Sequence, residues 1–414
     1  MKKRYDSYKP SGIDWIGDIP SHWTLSKIKF IGEIRGRIGF RGYTTADLVS
    51  EGEGALTIGG KHISNNVIDL TDPEYISWDK YYESPEIMVS KGDIVIAQRG
   101  TLKRTAYISK NIGPATINPS LVLLTNIKIN PKYLHSYLCS NATTEFIDYL
   151  NTATAVPMIS QNQIENIRII EPPLAEQEAI AAWLDEKCGE IDAAIAKVDR
   201  EIELIDELKQ SEISRVVTRG LNPDAPLRPS GIDWIGDIPE HWKIASFKRS
   251  IRINNGCDYK HVVADEGYPV IGSGGQFAYA TGYLYDGEVL LLGRKGTIDR
   301  PMYFVGKFWT VDTMFYAVPN KDICCKYMYY QALGFPFDYY STSTALPSMA
   351  ANDLANNPIA VPPLSEQQAI ADYLDKKCAV IDGLKAKLTK KRETLKELRQ
   401  SIISEVVTGK RKVI

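Results

Sequence analysis

The chain carries one pattern twice. Residues 11–23 read SGIDWIGDIPSHW and residues 230–242 read SGIDWIGDIPEHW, agreeing at twelve of thirteen positions. A second pair recurs in the same order, EPPLAEQEAIAAWLDEKCGEID at 171–192 and VPPLSEQQAIADYLDKKCAVID at 361–382. The first pair is offset by 219 residues and the second by 190, so the segment between the markers is 29 residues shorter in the second half. Two copies of one frame with different interiors are therefore expected. Some interior positions still correspond: Arg99-Gly100-Thr101 with Lys295-Gly296-Thr297, and Ala155-Val156-Pro157 with Ala345-Leu346-Pro347. A length of 414 residues fits this, because it exceeds what one hydrophobic core fills.

After each Pro-Pro the apolar residues take on a heptad spacing. The first run is Leu184, Cys188, Ile191, Ile195, Val198, Ile202 and Ile205; the second is Ile370, Leu374, Cys378, Ile381, Leu384 or Lys385, Leu388, Leu395, Leu398, Ile402 and Val406. Such seams belong to long helices that pair with another helix. Ser365 and Gln368 have the spacing of a capping box, and Gly220 and Gly409 stand where a helix would end. Each helix is then about 40 residues and about 60 Å long. The segments between read as short strands, among them 93–97, 121–125 and 288–292, with shorter helices near 131–150 and 326–333. The expected fold class is mixed α/β (α+β): two tandem domains over 1–171 and 221–361, the latter with a linker at 221–229. Helical spacers at 172–220 and 362–414 would run antiparallel as a coiled coil and give the repeat a pseudo-twofold.

Composition narrows the function. Charged residues make up 24% and the net charge is −2, so any nucleic-acid binding must come from local basic surfaces. No apolar run has signal-peptide or membrane-span length, which places the expected chain in the cytoplasm without a membrane partner. The six cysteines lack CxxC spacing and neighbouring histidines, and read as reduced thiols rather than zinc ligands. Catalytic motifs are missing. The Pro-Pro pairs lack the aromatic residue of an adenine methyltransferase motif, and Gly59-Gly60-Lys61-His62 fails the spacing of a phosphate loop. His22 and His241 are equivalent members of the repeated marker, which suits a structural role, and no catalytic residue, cofactor or metal is expected.

Basic, glycine-rich loops suit phosphates, while Arg, Asn and Gln can also fork onto base edges. In the first half the DNA-binding candidates are Arg35, Arg37, Arg41, Lys61, Gln98, Arg99, Thr101, Lys103 and Arg104. In the second they are Ser273, Gln276, Tyr279, Arg294, Lys295, Thr297 and Arg300. Correspondence of Arg99 with Lys295 suggests a shared phosphate contact, with differing neighbours setting different sequences.

With both repeats in hand, the chain resembles the specificity subunits of type I restriction-modification systems over essentially its whole length. The paired GIDWIGDIPxHW and PPLxEQxAIAxxLDxKCxxID motifs carry that resemblance. It implies two target-recognition domains, each contacting one half of a split, asymmetric double-stranded DNA site, with the helices fixing their distance. It also implies two methyltransferase subunits as partners, and restriction/translocase subunits in the full complex. S-adenosylmethionine, ATP and magnesium would then sit on those partners. An alternative reading is an orphan, stand-alone DNA-binding protein, for which the isolated chain would bind its sequence tightly.

Overall fold

Each Pro-Pro pair starts a long helix: α1 spans Leu174–Arg219 and α2 spans Leu364–Val407. The computed structural model describes residues 3–39, 42–150, 157–337 and 347–413. Proline is tolerated ahead of a helix because the first N–H groups need no intrahelical partner. The Pro173 carbonyl accepts from the Glu176 and Gln177 amides at 2.8 and 3.0 Å, and Pro363 does the same for Glu366 and Gln367 at 2.9 and 3.0 Å. The Ser365–Gln368 capping box does not form. α2 begins at Leu364, so Ser365 already lies inside the first turn, and the Gln368 amide donates to Asp372 instead. Buried Gln177 and Gln367 take over. Each donates back to the first proline's carbonyl, at 2.7 and 2.9 Å, and accepts the amide of Asn130 or Cys324 at 2.9 Å. Thus each long helix is fastened to the N-cap of a shorter one, Pro131–Leu138 or Cys325–Ala332.

Contacts divide the chain into two compact units, one reaching to Lys197 and resuming at Lys391, the other spanning Val198–Lys390. Each unit therefore owns half of each long helix. In the first unit Ile180, Ala181, Leu184 and Cys188 of α1 share a core with Ile403, Val406 and Val407 of α2. In the second, Ile213, Val216 and Val217 of α1 meet Ile370, Ala371, Leu374 and Cys378 of α2. The helices run antiparallel, as Lys209 with Asp382 and Asp206 with Lys385 demonstrate, both at 2.7 Å. At the ambiguous heptad position Leu384 stays 49% exposed, and Lys385 takes the pairing.

Glu212 of α1 also clamps α2 in the second unit, accepting from Tyr373 Oη at 2.6 Å and from Arg215 Nε and Nη2 at 3.0 and 2.9 Å. The Arg215 hydrogen bond, opposed by burial and aided by Tyr373, holds its carboxyl down to about 2. Because the folded pKa is depressed, this contribution is complete above the ordinary value of 4.5 and is lost as pH falls toward about 2. Acid titration of unfolding, read at hydrogen-exchange probes in the second unit, should show that loss, and Glu212→Gln should flatten it.

The repeated marker fastens both long helices inside each unit. Trp23 and Trp242 are fully buried. Their Nε1 atoms donate to Glu176 and Glu366 at 3.0 and 2.9 Å, while His22 and His241 contact the other carboxylate oxygens at 2.6 Å. These acids lie in the first turns of α1 and α2, where the helix dipole favours negative charge. The same marker holds the opposite helix by its end: Gly409 lies against Pro20 and Trp23, and Gly220 against Trp242, while Tyr8, just ahead of the first marker, donates from Oη to the Gly409 carbonyl at 3.0 Å. Gly220 and Gly409 both have φ of +72°, as C-terminal caps require. A Cβ on Gly409 would sit 2.2 Å from the Pro20 ring and 3.1 Å from the Trp23 ring. Gly409→Ala is therefore expected to cost about 2–4 kcal/mol, adding left-handed strain to overpacking. Urea unfolding would measure it.

Between the marker and the long helix, both units share four strands in one order. In the first unit Thr105–Tyr107, Ile94–Ala97, Leu121–Thr125 and Glu33–Gly36 lie side by side, all antiparallel. In the second, Met302–Thr310, Tyr285–Gly293, Met314–Pro319 and Ile251–Asn255 repeat that order. Beyond this core they diverge. The first unit adds a separate sheet of Ala115–Ile117, Gly54–Ile58, Tyr75–Ser77 and Leu48–Val49. The second extends the shared sheet to seven strands through Tyr268–Gly272, Gly275–Ala280 and Val263–Ala264.

Candidate nucleic-acid interface

The corresponding tripeptides of the two halves occupy the same place in the shared core. Residues 98–104 leave the strand Ile94–Ala97, and residues 294–300 leave Tyr285–Gly293. The Ser120 carbonyl accepts from the Gln98 and Arg99 amides at 2.9 and 3.3 Å; Thr313 does so for Arg294 and Lys295 at 2.8 and 3.2 Å. Gly100 donates to Pro157 at 3.0 Å and Gly296 to Pro347 at 2.8 Å. Ile159 and Met349 then donate back to the Gln98 and Arg294 carbonyls at 2.9 and 3.0 Å. Gly100 and Gly296 have φ of +76° and +82°, a left-handed turn that keeps the loop short. Leu102 and Ile298 anchor the loops in the cores, leaving Arg99 and Lys295 exposed at equivalent backbone positions. Ala155, Val156, Ala345 and Leu346 lie outside the described residues, as does Arg41.

Neighbouring candidates join these loops unequally. In the first unit Arg104 donates to the Gly60 carbonyl at 3.0 Å and the Gly60 amide to Ser120 Oγ at 3.4 Å, so loops 59–61, 98–104 and 118–120 converge. Lys61 is exposed there but paired with Asp72 and Glu74 at 2.7 and 2.9 Å; Lys103, at φ +71°, pairs with Asp148 at 2.7 Å. Such surface pairs are weak enough to yield to a phosphate. Gln98 turns inward, its amide nitrogen donating to the Pro119 and Leu121 carbonyls. Thr101 is exposed, and Arg35 is exposed beside Glu33 on its own strand.

Arg37 does not reach the surface. It is 8% exposed, its Nε donates to the Ile117 carbonyl at 3.3 Å and its Nη2 to Thr116 Oγ1 at 3.2 Å, with Tyr43 stacked on the guanidinium. This arginine ties the two sheets of the first unit together.

In the second unit Arg294 lies over Phe315 and donates to the Asp312 carbonyl at 3.3 Å, the counterpart of inward-turned Gln98. Arg300 is exposed and Thr297 half-buried. The Ser273–Gln276 turn reaches the same end, because Ile271 pairs with Thr310 and the Val311 amide donates to Ile271 just before the turn that holds Arg294. Gln276, Phe277 and Tyr279 are exposed on that hairpin, and Phe277 packs edge-on against Tyr259. Sequence reasoning missed the supporting turns 118–120 and 311–313. Their main chains do the holding, and only the shared Ser or Thr at their ends hints at it.

Each unit thus presents an exposed basic residue on a left-handed glycine turn at the same place in the shared core. Among the described residues no group of three His, Cys, Asp or Glu is placed to hold a metal, and no helix is long and apolar enough to cross a membrane. The type I restriction modification DNA specificity domain matches the chain over residues 20–203 and 236–392. The chain belongs to that family, as a non-catalytic DNA-specificity subunit of a type I restriction-modification system. It is similar to the "Putative type I restriction enzyme MjaX specificity subunit" of Methanocaldococcus jannaschii, 23% identical and covering 96% of each chain. The type I restriction enzyme MjaVIII specificity subunit of the same organism is 22% identical over 79% of this chain and 81% of its own. The fold resembles a solved structure described as the structural basis of complex assembly and conformational transition of the type I R-M system. That likeness has a TM-score of 0.70 at 16% identity, over 94% of this chain and 98% of the other.

Proposed function

We propose that each unit reads one half of a bipartite, asymmetric double-stranded DNA site, and that Arg99 and Lys295 are equivalent phosphate contacts which set the register of each half. The observation that carries this is the identical backbone suspension of two loops whose neighbours differ. Loop 59–61 with Arg104 flanks one, and the Ser273–Gln276 hairpin with Tyr279 and Arg300 flanks the other. Common suspension positions the units alike; different flanks select different bases.

The recurring frame also supports docking of two copies of one methyltransferase subunit, since like frames present like surfaces to identical partners. S-adenosylmethionine would then enter with that partner, and ATP and magnesium with a restriction/translocase subunit, in the cytoplasm. The antiparallel helices would serve as the spacer between half-sites. Co-expression with a type I methyltransferase subunit, followed by mapping of methylated adenines, tests the reading. A split motif that appears only with both subunits is the expected result. Tight selection of one sequence by the isolated chain, with no methylation from a soluble complex, would favour a stand-alone DNA-binding protein.

A further inference from the structure

A cavity of about 310 Å³ in the first unit holds chemistry that DNA reading does not use. It lies among the helix Pro131–Leu138, the turn 65–67, the end of the strand Thr105–Tyr107, α1 and α2, and both Cys139 and Cys188 line it. Cys139 Sγ is 3.2 Å from Thr105 Oγ1 and 3.5 Å from His135 Nε2, which also faces the Thr105 carbonyl at 3.4 Å. A carbonyl can only accept, so His135 carries its proton on Nε2 and shares it between that oxygen and the sulfur. The sulfur is thus faced by the imidazole N–H and by a hydroxyl, which can donate to it once the sulfur is a thiolate.

The other charged groups around the cavity are already matched: Lys132 with Asp185, and Arg399 with Asp192 at 2.8 Å. Tyr107 lies against the His135 ring, and Cys188 faces in from α1. Burial, and the carbonyl end of the helix that Cys139 caps, work against a thiolate. The charge and hydrogen bond of His135, the Thr105 hydroxyl and Arg399 outweigh them and hold the Cys139 thiol below its ordinary value. For His135 burial again opposes the charged form, and the Cys139 thiolate overcomes it, so the imidazole is raised.

The duplicated frame does not need this pair. The second unit has the matching Lys326–Asp375 contact and a matching cavity, but Leu333 stands where Cys139 stands and Tyr329 where His135 does. A packing role alone is satisfied by leucine and tyrosine at these positions.

We propose that Cys139 is a peroxide-modified site, a His135-paired thiolate that takes one oxygen from hydrogen peroxide to become a sulfenic acid. The sulfur's electron pair attacks one peroxide oxygen, the O–O bond breaks as the S–O bond forms, and the departing hydroxide takes the Nε2 proton of His135 and leaves as water. Cysteine is oxidised by two electrons and peroxide is reduced by two. The modified residue sits where α2 is fastened, since the Cys139 carbonyl accepts from Gln400 Nε2 at 2.8 Å.

The test uses the full chain with the exposed Cys257 and half-buried Cys324 replaced by serine. Hydrogen peroxide is added at about pH 6.5, sulfenic acid is trapped with dimedone, and peptides are mapped by mass. Cys139 should react at least about tenfold faster than Cys325, whose thiol burial pushes up to about 12. Its rate should climb less steeply between about pH 6.5 and about pH 8.5 than that of an ordinary thiol, which gains about tenfold per unit below its titration. His135→Asn should restore that ordinary slope. A folded chain in which Cys139 reacts no faster than Cys325, or in which its rate climbs with pH like a free thiol, would overturn the proposal. The wild-type pH profile decides the matter even where the His135 variant fails to fold.

Discussion

Trp23→Ala is expected to destabilise the first unit by about 3–5 kcal/mol, the cost of emptying a buried indole. The indole is fully buried, it meets Tyr5 edge-on at 5.4 Å, and its Nε1 donates to Glu176. Truncation removes one hydrogen bond from that partly buried carboxylate, which keeps its contact with His22. The consequence should be felt at two distant points in the sequence, because the same ring supports the start of α1 and packs beside Gly409 at the end of α2. Hydrogen exchange should therefore show lost protection near 176–184 and near 403–407 together. Loss confined to the antiparallel strands Tyr8–Pro10 and Asp18–Pro20, which pair with each other around the start of the marker, would refute the fastening role. Trp242→Ala should reproduce the pattern at 366–374 and 213–217, and His22→Gln should cost far less, since His22 is half exposed.

The physical reason that so much was legible in sequence is that the frame repeats its own constraints. Heptad seams, Pro-Pro starts and glycine stops are local signals, and α1 and α2 follow them. What sequence could not supply was which partner each constraint meets. Nothing in the repeated marker tells what Trp23 and Trp242 touch, yet each joins one helix start to the other helix's end. The capping-box spacing of Ser365 and Gln368 was misleading because Pro362 and Pro363 advance the helix start and let buried Gln367 serve both neighbouring groups. Arg37 sits in the same basic, glycine-rich segment as Arg35, and strand alternation would put both on one face; but the strand ends at Gly36, and Arg37 just beyond it turns inward onto Thr116 and Ile117 while Arg35 stays in solvent. Arg99 and Lys295 were legible only as an aligned pair; nothing local distinguishes them from other exposed cations.

That pair yields the sharpest functional expectation. In complex with the methyltransferase subunit, Arg99→Ala and Lys295→Ala should each weaken binding to the methylated sequence by about tenfold and reduce the salt slope of log affinity by about one. A phosphate contact carries no base information, so the motif itself should be unchanged in both variants. Combining Arg99→Glu with Lys295→Glu should cost more than about a hundredfold, because each reversal replaces an attraction with repulsion, and the two loops belong to different units and share no partner, so their effects should add. The flanking residues should behave in the opposite way. Tyr279→Ala or Gln276→Ala should relax the sequence read by the second unit while leaving the salt slope intact. Fluorescence anisotropy across a salt series, paired with methylation maps of the same variants, separates these outcomes. A change of motif on Arg99→Ala would make that residue a base reader and end the equivalence of the two loops. An unchanged salt slope in both alanine variants would remove these loops from the DNA altogether.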